Sequence, residues 1–129
     1  MHLRAAPAIA LGGMAGAALR WWVHDLWPAG SMSWATLVVN VAGSAVLGWL
    51  VAAETGGTGA FARVAGAGFC GSFTTFSAFG LVVVEHFETG RAGAGVLYAA
   101  VSLGAAVAAA LAAGLLRRRL RRSFRRAVT

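Results

Sequence analysis

Four long apolar runs, each free of charged residues, dominate the sequence of 129 residues. They are Ala5–Leu19, Ser33–Ala53, Val64–Val84 and Ala92–Leu116. Each is at or near the roughly 20 residues that an α-helix needs to cross the hydrocarbon core of a bilayer. A hydrophobic fraction of 59% with only 12% charged residues also excludes an ordinary soluble domain. The sequence therefore predicts an all-α membrane protein with four transmembrane helices.

Arginines follow the fourth apolar run closely. All eleven basic residues of the chain are arginines, and seven lie in this tail: Arg117, Arg118, Arg119, Arg121, Arg122, Arg125 and Arg126. A basic cluster directly after a membrane helix marks the cytoplasmic side and contacts anionic lipid. We therefore divide the chain into a transmembrane unit (residues 1–116) and an arginine-rich cytoplasmic tail (residues 117–129). The expected partner of this tail is the lipid bilayer, not nucleic acid.

The third run contains a segment, Gly66–Phe79, that is not typical of a plain membrane helix. Three glycines in six residues are followed by four hydroxyl side chains and three phenylalanines in the next eight. Glycine and the β-branched threonine both disfavour a helix, so we expect a break in mid-membrane. Irregular backbone at this depth is tolerated only where it is buried in protein or lines a polar cavity. The break is therefore a candidate functional element.

Polar residues on the first two helices have two open interpretations. Asn40 lies near mid-membrane, with Thr36 one turn before it and Ser44 one turn after it. A carboxamide at this depth either joins helices or faces an aqueous path. Arg20, beside two tryptophans, is either an interfacial anchor or a residue that attracts an anion. The spacing Gly12-x-x-x-Gly16 on the first helix predicts close helix packing.

The pattern of reactive residues argues against an enzyme. We find no nucleophile–base pair, phosphate-binding loop or metal-ligand cluster. Glu85, His86 and Glu88 are interpreted as a solvated loop after the third helix. The polar groups within the apolar runs are mainly hydrogen-bond donors, and Phe76 and Phe79 add the positive edges of aromatic rings. Such a line of groups suits a small anion.

Three blocks of residues follow one another along the first three helices: Gly13-x-x-Gly16-Ala17-x-x-Arg20-Trp21, Thr36-Leu37-x-Val39-Asn40-x-x-Gly43-Ser44 and Gly68-Phe69-Cys70-Gly71-Ser72-Phe73-Thr74-Thr75-Phe76-Ser77-x-Phe79. With these blocks the sequence resembles the Fluc/CrcB family of small fluoride channels along essentially its whole transmembrane length. The resemblance implies passive fluoride export across the bacterial plasma (inner) membrane, which relieves fluoride toxicity. It also implies an antiparallel dimer of four-helix subunits with two pores.

The resemblance places Asn40, Phe76 and Phe79 along the fluoride path, and it matches Tyr98 and Ser102 to polar pore-lining positions of the fourth helix. Their positions in the sequence add three residues to the candidate path: Thr36, Ser77 and Arg20. It further implies a structural Na⁺ at the dimer centre, held by backbone carbonyls that map to Gly71 and Thr74. Two departures make one side of the path less polar. Val82 stands where the family often has a glutamate, and Ala106 and Ala108 lie where further hydroxyls often follow on the fourth helix.

The arginine distribution bears on the dimer partner. With four helices, both termini and the middle loop share one side of the membrane, which carries Arg4, Arg63 and the tail, whereas the other side has Arg20 and Arg91. This bias predicts one orientation, with cytoplasmic termini. The partner is either a second copy of the chain or an oppositely oriented homologue, and the bias favours the homologue.

Two other classes of function remain open. A proton-coupled small multidrug transporter is also a dimer of four short helices, but it needs a carboxylate inside a helix, and the first run contains none. A noncatalytic membrane interaction protein or holin-like pore would tolerate substitution at Asn40, Phe76 and Phe79, whereas a channel would not.

Overall fold

The computed structural model describes residues 5–27, 32–53 and 59–128. These residues form helices and contain no strand, which confirms the all-α class for the described part of the chain. The helices are α1 (Ala5–Asp25), α2 (Met32–Val51), α3 (Gly59–Phe73), α4 (Phe76–Glu88) and α5 (Ala92–Val128).

Three segments are long and apolar enough to cross a membrane, judged by length and composition: Ser33–Val51, Val64–Glu88 and Ala92–Ser123. The second of these runs through most of α3, the two residues that follow it, and α4. Helix α1 is not among the three. Large apolar side chains are exposed on α1, α2, α4 and α5, as expected where lipid or another subunit covers a helix.

Helices α1 and α3 pack backbone against backbone. A Cβ atom at Gly12 would overlap the carbonyl oxygen of Ala65, and one at Gly16 would overlap that of Phe69. The close approach predicted from the Gly12-x-x-x-Gly16 spacing is therefore confirmed. Because the two contacts follow the same order in both helices, α1 and α3 run in the same direction.

Helices α2 and α5 form a second parallel pair that is tied at both ends. Near their N-terminal ends, the Tyr98 hydroxyl donates to the Ser33 carbonyl at 3.1 Å. Near the end of α2, Arg117 Nη1 donates to the Trp49 carbonyl at 2.7 Å, and the guanidinium carbon lies 5.2 Å from the centre of the Trp49 ring. Arg117 thereby satisfies one of the carbonyls that a helix leaves unpaired at its C-terminus.

Residues Thr89–Arg91 reverse the chain between α4 and α5. Gly90 has a φ of 73°, and the Arg91 N–H donates to the His86 carbonyl at 2.8 Å, as in a glycine-terminated helix end. The prediction of a loop over Glu85, His86 and Glu88 is wrong, because α4 continues to Glu88. Thr89 is its C-cap, and the left-handed backbone of Gly90 follows.

Helix α5 has 37 residues and continues past Leu116 into the arginine-rich segment. The boundary drawn at residue 117 therefore coincides with a change of composition and not with the end of a helix. The division into a membrane unit and a cytoplasmic tail stays a prediction.

Candidate functional site

Two threonines separate α3 from α4. Both the N–H and the hydroxyl of Thr74 donate to the Cys70 carbonyl, at 3.0 and 2.8 Å, so Thr74 belongs to the end of α3. Thr75 has an extended backbone (φ −143°, ψ 117°), and its hydroxyl oxygen accepts from the Ala78 N–H at 3.2 Å. This is the geometry of an N-cap, so one threonine ends a helix and the next begins another.

Asn40 of α2 bonds both backbone groups of Thr75. Its Nδ2 donates to the Thr75 carbonyl at 3.0 Å, and the Thr75 N–H donates to its Oδ1 at 2.7 Å. In an uninterrupted helix the Thr75 N–H would donate to the Gly71 carbonyl. The carboxamide of Asn40 takes the place of that helical bond, and the Gly71 carbonyl is released from it. Asn40 therefore joins α2 to the break.

Arg20 approaches the same break from α1. Its Nη1 donates to the Thr74 carbonyl in a long hydrogen bond of 3.4 Å, and the side chain is half-buried. This contact adds a third role to the two interpretations of Arg20, both of which stay predictions. Helices α1 and α2 thus hold the break from two sides.

A cavity of about 350 Å³ lies beside the break, among α2, α3, α4 and α5. The polar residues in its wall are Asn40, Ser44, Thr74, Thr75 and Ser102. Ser102 is buried, and its hydroxyl has no hydrogen-bond partner among the residues that the structure describes. Its Oγ atom has almost no exposed area, so Ser102 contributes to the wall without a hydroxyl that is open to the cavity.

Two phenylalanines complete the wall of this cavity. The rings of Phe76 and Phe79 lie 5.4 Å apart, and both line this cavity. Phe79 is buried and lies 5.9 Å from the ring of Tyr98, whereas Phe76 is 76% exposed. The aromatic side of the cavity is therefore part core and part open surface.

Four of the predicted path residues lie outside the wall of this cavity: Arg20, whose contact is described above, Thr36, Ser77 and Tyr98. Thr36 is fully buried, and its hydroxyl has no partner in the described part of the chain. Ser77 is exposed, with its Oγ 3.2 Å from the hydroxyl of Thr75. Tyr98 lines a second cavity, together with His86. The structure thus brings Asn40, Ser102 and the two phenylalanines together and places the remaining residues around them.

Sequence reasoning missed the roles of Thr75 and His86. The available signal for Thr75 was the preference of threonine for N-cap positions. His86 was assigned to a solvated loop because Glu85 and Glu88 lie close to it in the sequence. Its half-buried ring in fact stacks on Tyr98.

The departures from the family pattern have structural counterparts. Val82 is 2% exposed and belongs to the core. Ala106 lies in the wall of the cavity beside the break, whereas Ala108 is exposed. The wall of this cavity next to Ala106 is therefore apolar.

Backbone carbonyls are the candidate cation ligands at this site. In the described residues, no group of three or more His, Cys, Asp or Glu side chains is arranged to hold a metal ion. The Gly71 carbonyl has lost the Thr75 donor, and a Cβ at Gly71 would meet nothing within 4 Å. Carbonyl oxygens suit hard cations such as Na⁺, so Gly71 fits the predicted role. The Thr74 carbonyl accepts from Arg20, so a cation on this oxygen would lie next to a positive charge, and Thr74 fits the predicted role less well.

Comparison with known proteins places the chain among its relatives. The profile of the family described as CrcB-like protein, Camphor Resistance (CrcB), matches residues 7–115. The fluoride-specific ion channel FluC of Rhizobium etli (strain CIAT 652) is 40% identical over 107 residues, which cover 78% of this chain and 85% of the relative. The fluoride-specific ion channel FluC 2 of Nocardia farcinica is 42% identical over 106 residues, which cover 78% and 76%.

A further relative, the fluoride-specific ion channel FluC of Novosphingobium aromaticivorans, is 37% identical over 114 residues, which cover 81% of this chain and 89% of the relative. No solved structure matches the chain significantly. The family profile covers nearly all the described helices, and the three relatives agree with the resemblance carried by the sequence blocks. The chain belongs to the CrcB-like family.

Proposed function

We propose that this chain is a subunit of a fluoride-selective channel that gives passive fluoride export across the plasma membrane. The observation that carries the proposal is the helix break fixed by Asn40 beside a cavity whose wall offers hydrogen-bond donors and phenylalanine rings and no charged side chain. The printed names of the relatives support fluoride as the transported ion.

The donors in the wall suit an anion that must enter and leave. Asn40 uses one of its two Nδ2 hydrogens on Thr75, which leaves the second for a ligand. Ser102 also contributes to this wall, with its hydroxyl oxygen buried. Neutral donors and ring edges can replace the water around the anion, whereas a buried positive side chain would bind it too tightly. Conduction requires sites that both bind and release the ion.

The assembly that we propose is an antiparallel dimer of subunits with four membrane crossings, the third of which is interrupted at Thr74 and Thr75. The parallel pairs α1–α3 and α2–α5 support alternating crossings, because helices of the same pair must cross in the same direction. The exposed ring of Phe76 at the open side of the cavity supports a covering subunit.

A structural Na⁺ at the centre of this dimer belongs to the proposal. The carbonyls of Gly71 and Thr74 would hold it. By binding these backbone oxygens in both subunits, the cation would join the two subunits. Support comes from the Gly71 carbonyl, which has no helical donor from Thr75.

The rival classes gain nothing from the structure. A proton-coupled transporter needs a carboxylate inside the membrane, and the acidic residues of the described helices lie at helix ends: Asp25, Glu85 and Glu88.

We predict that the subunit inserts in one orientation and pairs with an oppositely oriented homologue. The arginine bias carries this expectation, because arginines close to membrane helices are retained in the cytoplasm. Reporter tags at either terminus should give one signal, with both termini cytoplasmic. Near-equal populations of the two orientations would contradict it and favour a dimer of identical chains.

The proposed function predicts fast fluoride efflux from liposomes, followed with a fluoride electrode, and no comparable chloride efflux. Phe79→Ala is expected to slow fluoride efflux about tenfold, equivalent to a barrier higher by ~1.4 kcal/mol, because the path loses a ring edge. Phe87→Ala is the matched control, since Phe87 lies on the same helix, is half exposed and is not in the cavity wall.

The protein is reconstituted first alone and then with a CrcB-like homologue of opposite arginine bias. Efflux from the first preparation shows a self-sufficient channel, and efflux from the second alone shows the need for a partner. Folded protein that releases no fluoride in either preparation would overturn the proposal.

A further inference from the structure

A line of aromatic rings leads from the helix break to the far end of α4. Successive ring centres lie 5.4 Å (Phe76 to Phe79), 5.9 Å (Phe79 to Tyr98) and 6.2 Å (Tyr98 to His86) apart. The planes of Tyr98 and His86 differ by only 5°. The proposed function uses the first rings of this line and assigns no role to the last.

The hydrogen bonding of His86 determines which of its nitrogens is available. Nδ1 lies 2.7 Å from the Val82 carbonyl oxygen. A carbonyl only accepts hydrogen bonds, so Nδ1 carries a hydrogen in both charge states of the ring. Nε2 is therefore the nitrogen that changes: it presents a lone pair when the ring is neutral and an N–H donor when the ring is protonated. No described group bonds Nε2.

His86 has few ionisable groups around it. It lines a cavity of about 350 Å³ with Tyr98 and Ser33, between α2 and α5. Helix α2 has no ionisable side chain, and Tyr98 is the one such residue of α5 before Arg117. The Tyr98 hydroxyl is already used on the Ser33 carbonyl.

The charged groups near His86 in the sequence are exposed and lie outside this cavity. They are Glu85 and Glu88 on α4 and Arg91 in the turn that follows. Their charges are therefore screened by solvent more strongly than a charge inside the cavity.

We propose that His86 forms an anion-binding site at the far end of this line of rings, where the protonated ring holds a small inorganic anion at Nε2–H. The proposal rests on the proposed fluoride channel function. A neutral His86 offers the anion a lone pair and repels it, so occupancy of the site follows protonation of the ring. Imidazole is the side chain that changes charge between about pH 5 and 8.

The test is fluoride efflux from liposomes at equal internal and external pH, from pH 8 to pH 6, with the channel alone or with the homologue it requires. Protein-free vesicles at each pH give the leak of undissociated hydrogen fluoride, which is subtracted. Wild-type efflux is expected to rise about fivefold as the pH falls, because of the added charge on His86. His86→Gln should abolish the rise, and His86→Arg should give fast efflux at both pH values.

His24→Gln is the matched control, since His24 lies at the end of α1 and outside both cavities, and it should keep the wild-type response. Efflux that is equal at pH 6 and pH 8, or a rise that survives in folded His86→Gln protein, overturns the role of His86 and leaves the channel proposal standing. Loss of efflux at every pH in the wild type overturns the proposed function instead.

Discussion

Replacing Asn40 by leucine is expected to abolish fluoride efflux, with a decrease of about a hundredfold or more. The Thr75 N–H and carbonyl would both lose their partner at a depth where water is scarce. Each unpaired buried group costs ~1–3 kcal/mol, so the break is expected to lose about 2–6 kcal/mol of stabilisation. Efflux and thermal unfolding in detergent measure the two effects separately.

Thr36→Val is the matched control for Asn40→Leu. Thr36 lies one turn earlier on α2 and is fully buried, but its hydroxyl makes no bond in the described structure and lies outside the cavity wall. Valine has nearly the same shape, so efflux should be unchanged and the melting temperature equal or higher. Folded Asn40→Leu protein that conducts like the wild type would show that the break does not depend on this carboxamide. Slow efflux from Thr36→Val would indicate that Thr36 belongs to the fluoride path.

A second large effect is expected for Gly16→Ile, which should prevent the assembly of a folded subunit. Gly16 is buried, and the carbonyl of Phe69 occupies the space that any Cβ would need. A branched side chain would force α1 away from α3 and withdraw Arg20 from the Thr74 carbonyl. Yield, monodispersity and thermal unfolding in detergent measure the loss.

Gly104→Ala is the control for this substitution. A Cβ at Gly104 meets no atom within 4 Å, and alanine is the better helix former by about 1 kcal/mol. Its stability should equal or exceed that of the wild type. A Gly16→Ile protein as stable as Gly104→Ala would mean that α1 and α3 do not pack at this distance.

Hydropathy alone predicted the bounds of a helix well where the apolar run and the helix end at nearly the same residue. The second apolar run, Ser33–Ala53, agrees with α2 (Met32–Val51) to within two residues at each end. The fourth run stops at Leu116, whereas α5 continues to Val128. Hydropathy identifies the residues that suit a lipid environment and does not show where a helix ends. Arginine is a good helix former, so a helix can continue through arginines beyond the apolar run.

The candidate site was predicted in part. Glycines, threonines and phenylalanines in one segment located an unusual stretch, because their conformational preferences are local properties. The pairing of Asn40 with Thr75 joins residues 35 positions apart, and no local pattern reveals such a contact. Spacing along α2 puts Thr36 one turn from Asn40, yet Thr36 is fully buried and lies outside the cavity that Asn40 lines, because spacing along one helix does not show where its neighbours pack.

Two hydrogen bonds, one near each end, join α2 to α5 and fix the length of the apolar surface that this helix pair presents to the bilayer. Ser33 and Trp49 lie about 24 Å apart along α2, and their partners Tyr98 and Arg117 about 28 Å apart along α5, at ~1.5 Å per residue. These spans are slightly shorter than the ~30 Å of a typical hydrocarbon core. With both ends bonded, the pair resists stretching, so a thicker bilayer has to thin around the protein. Lipid chain length should therefore affect the stability of the subunit through these two ends before it affects the helix break between them.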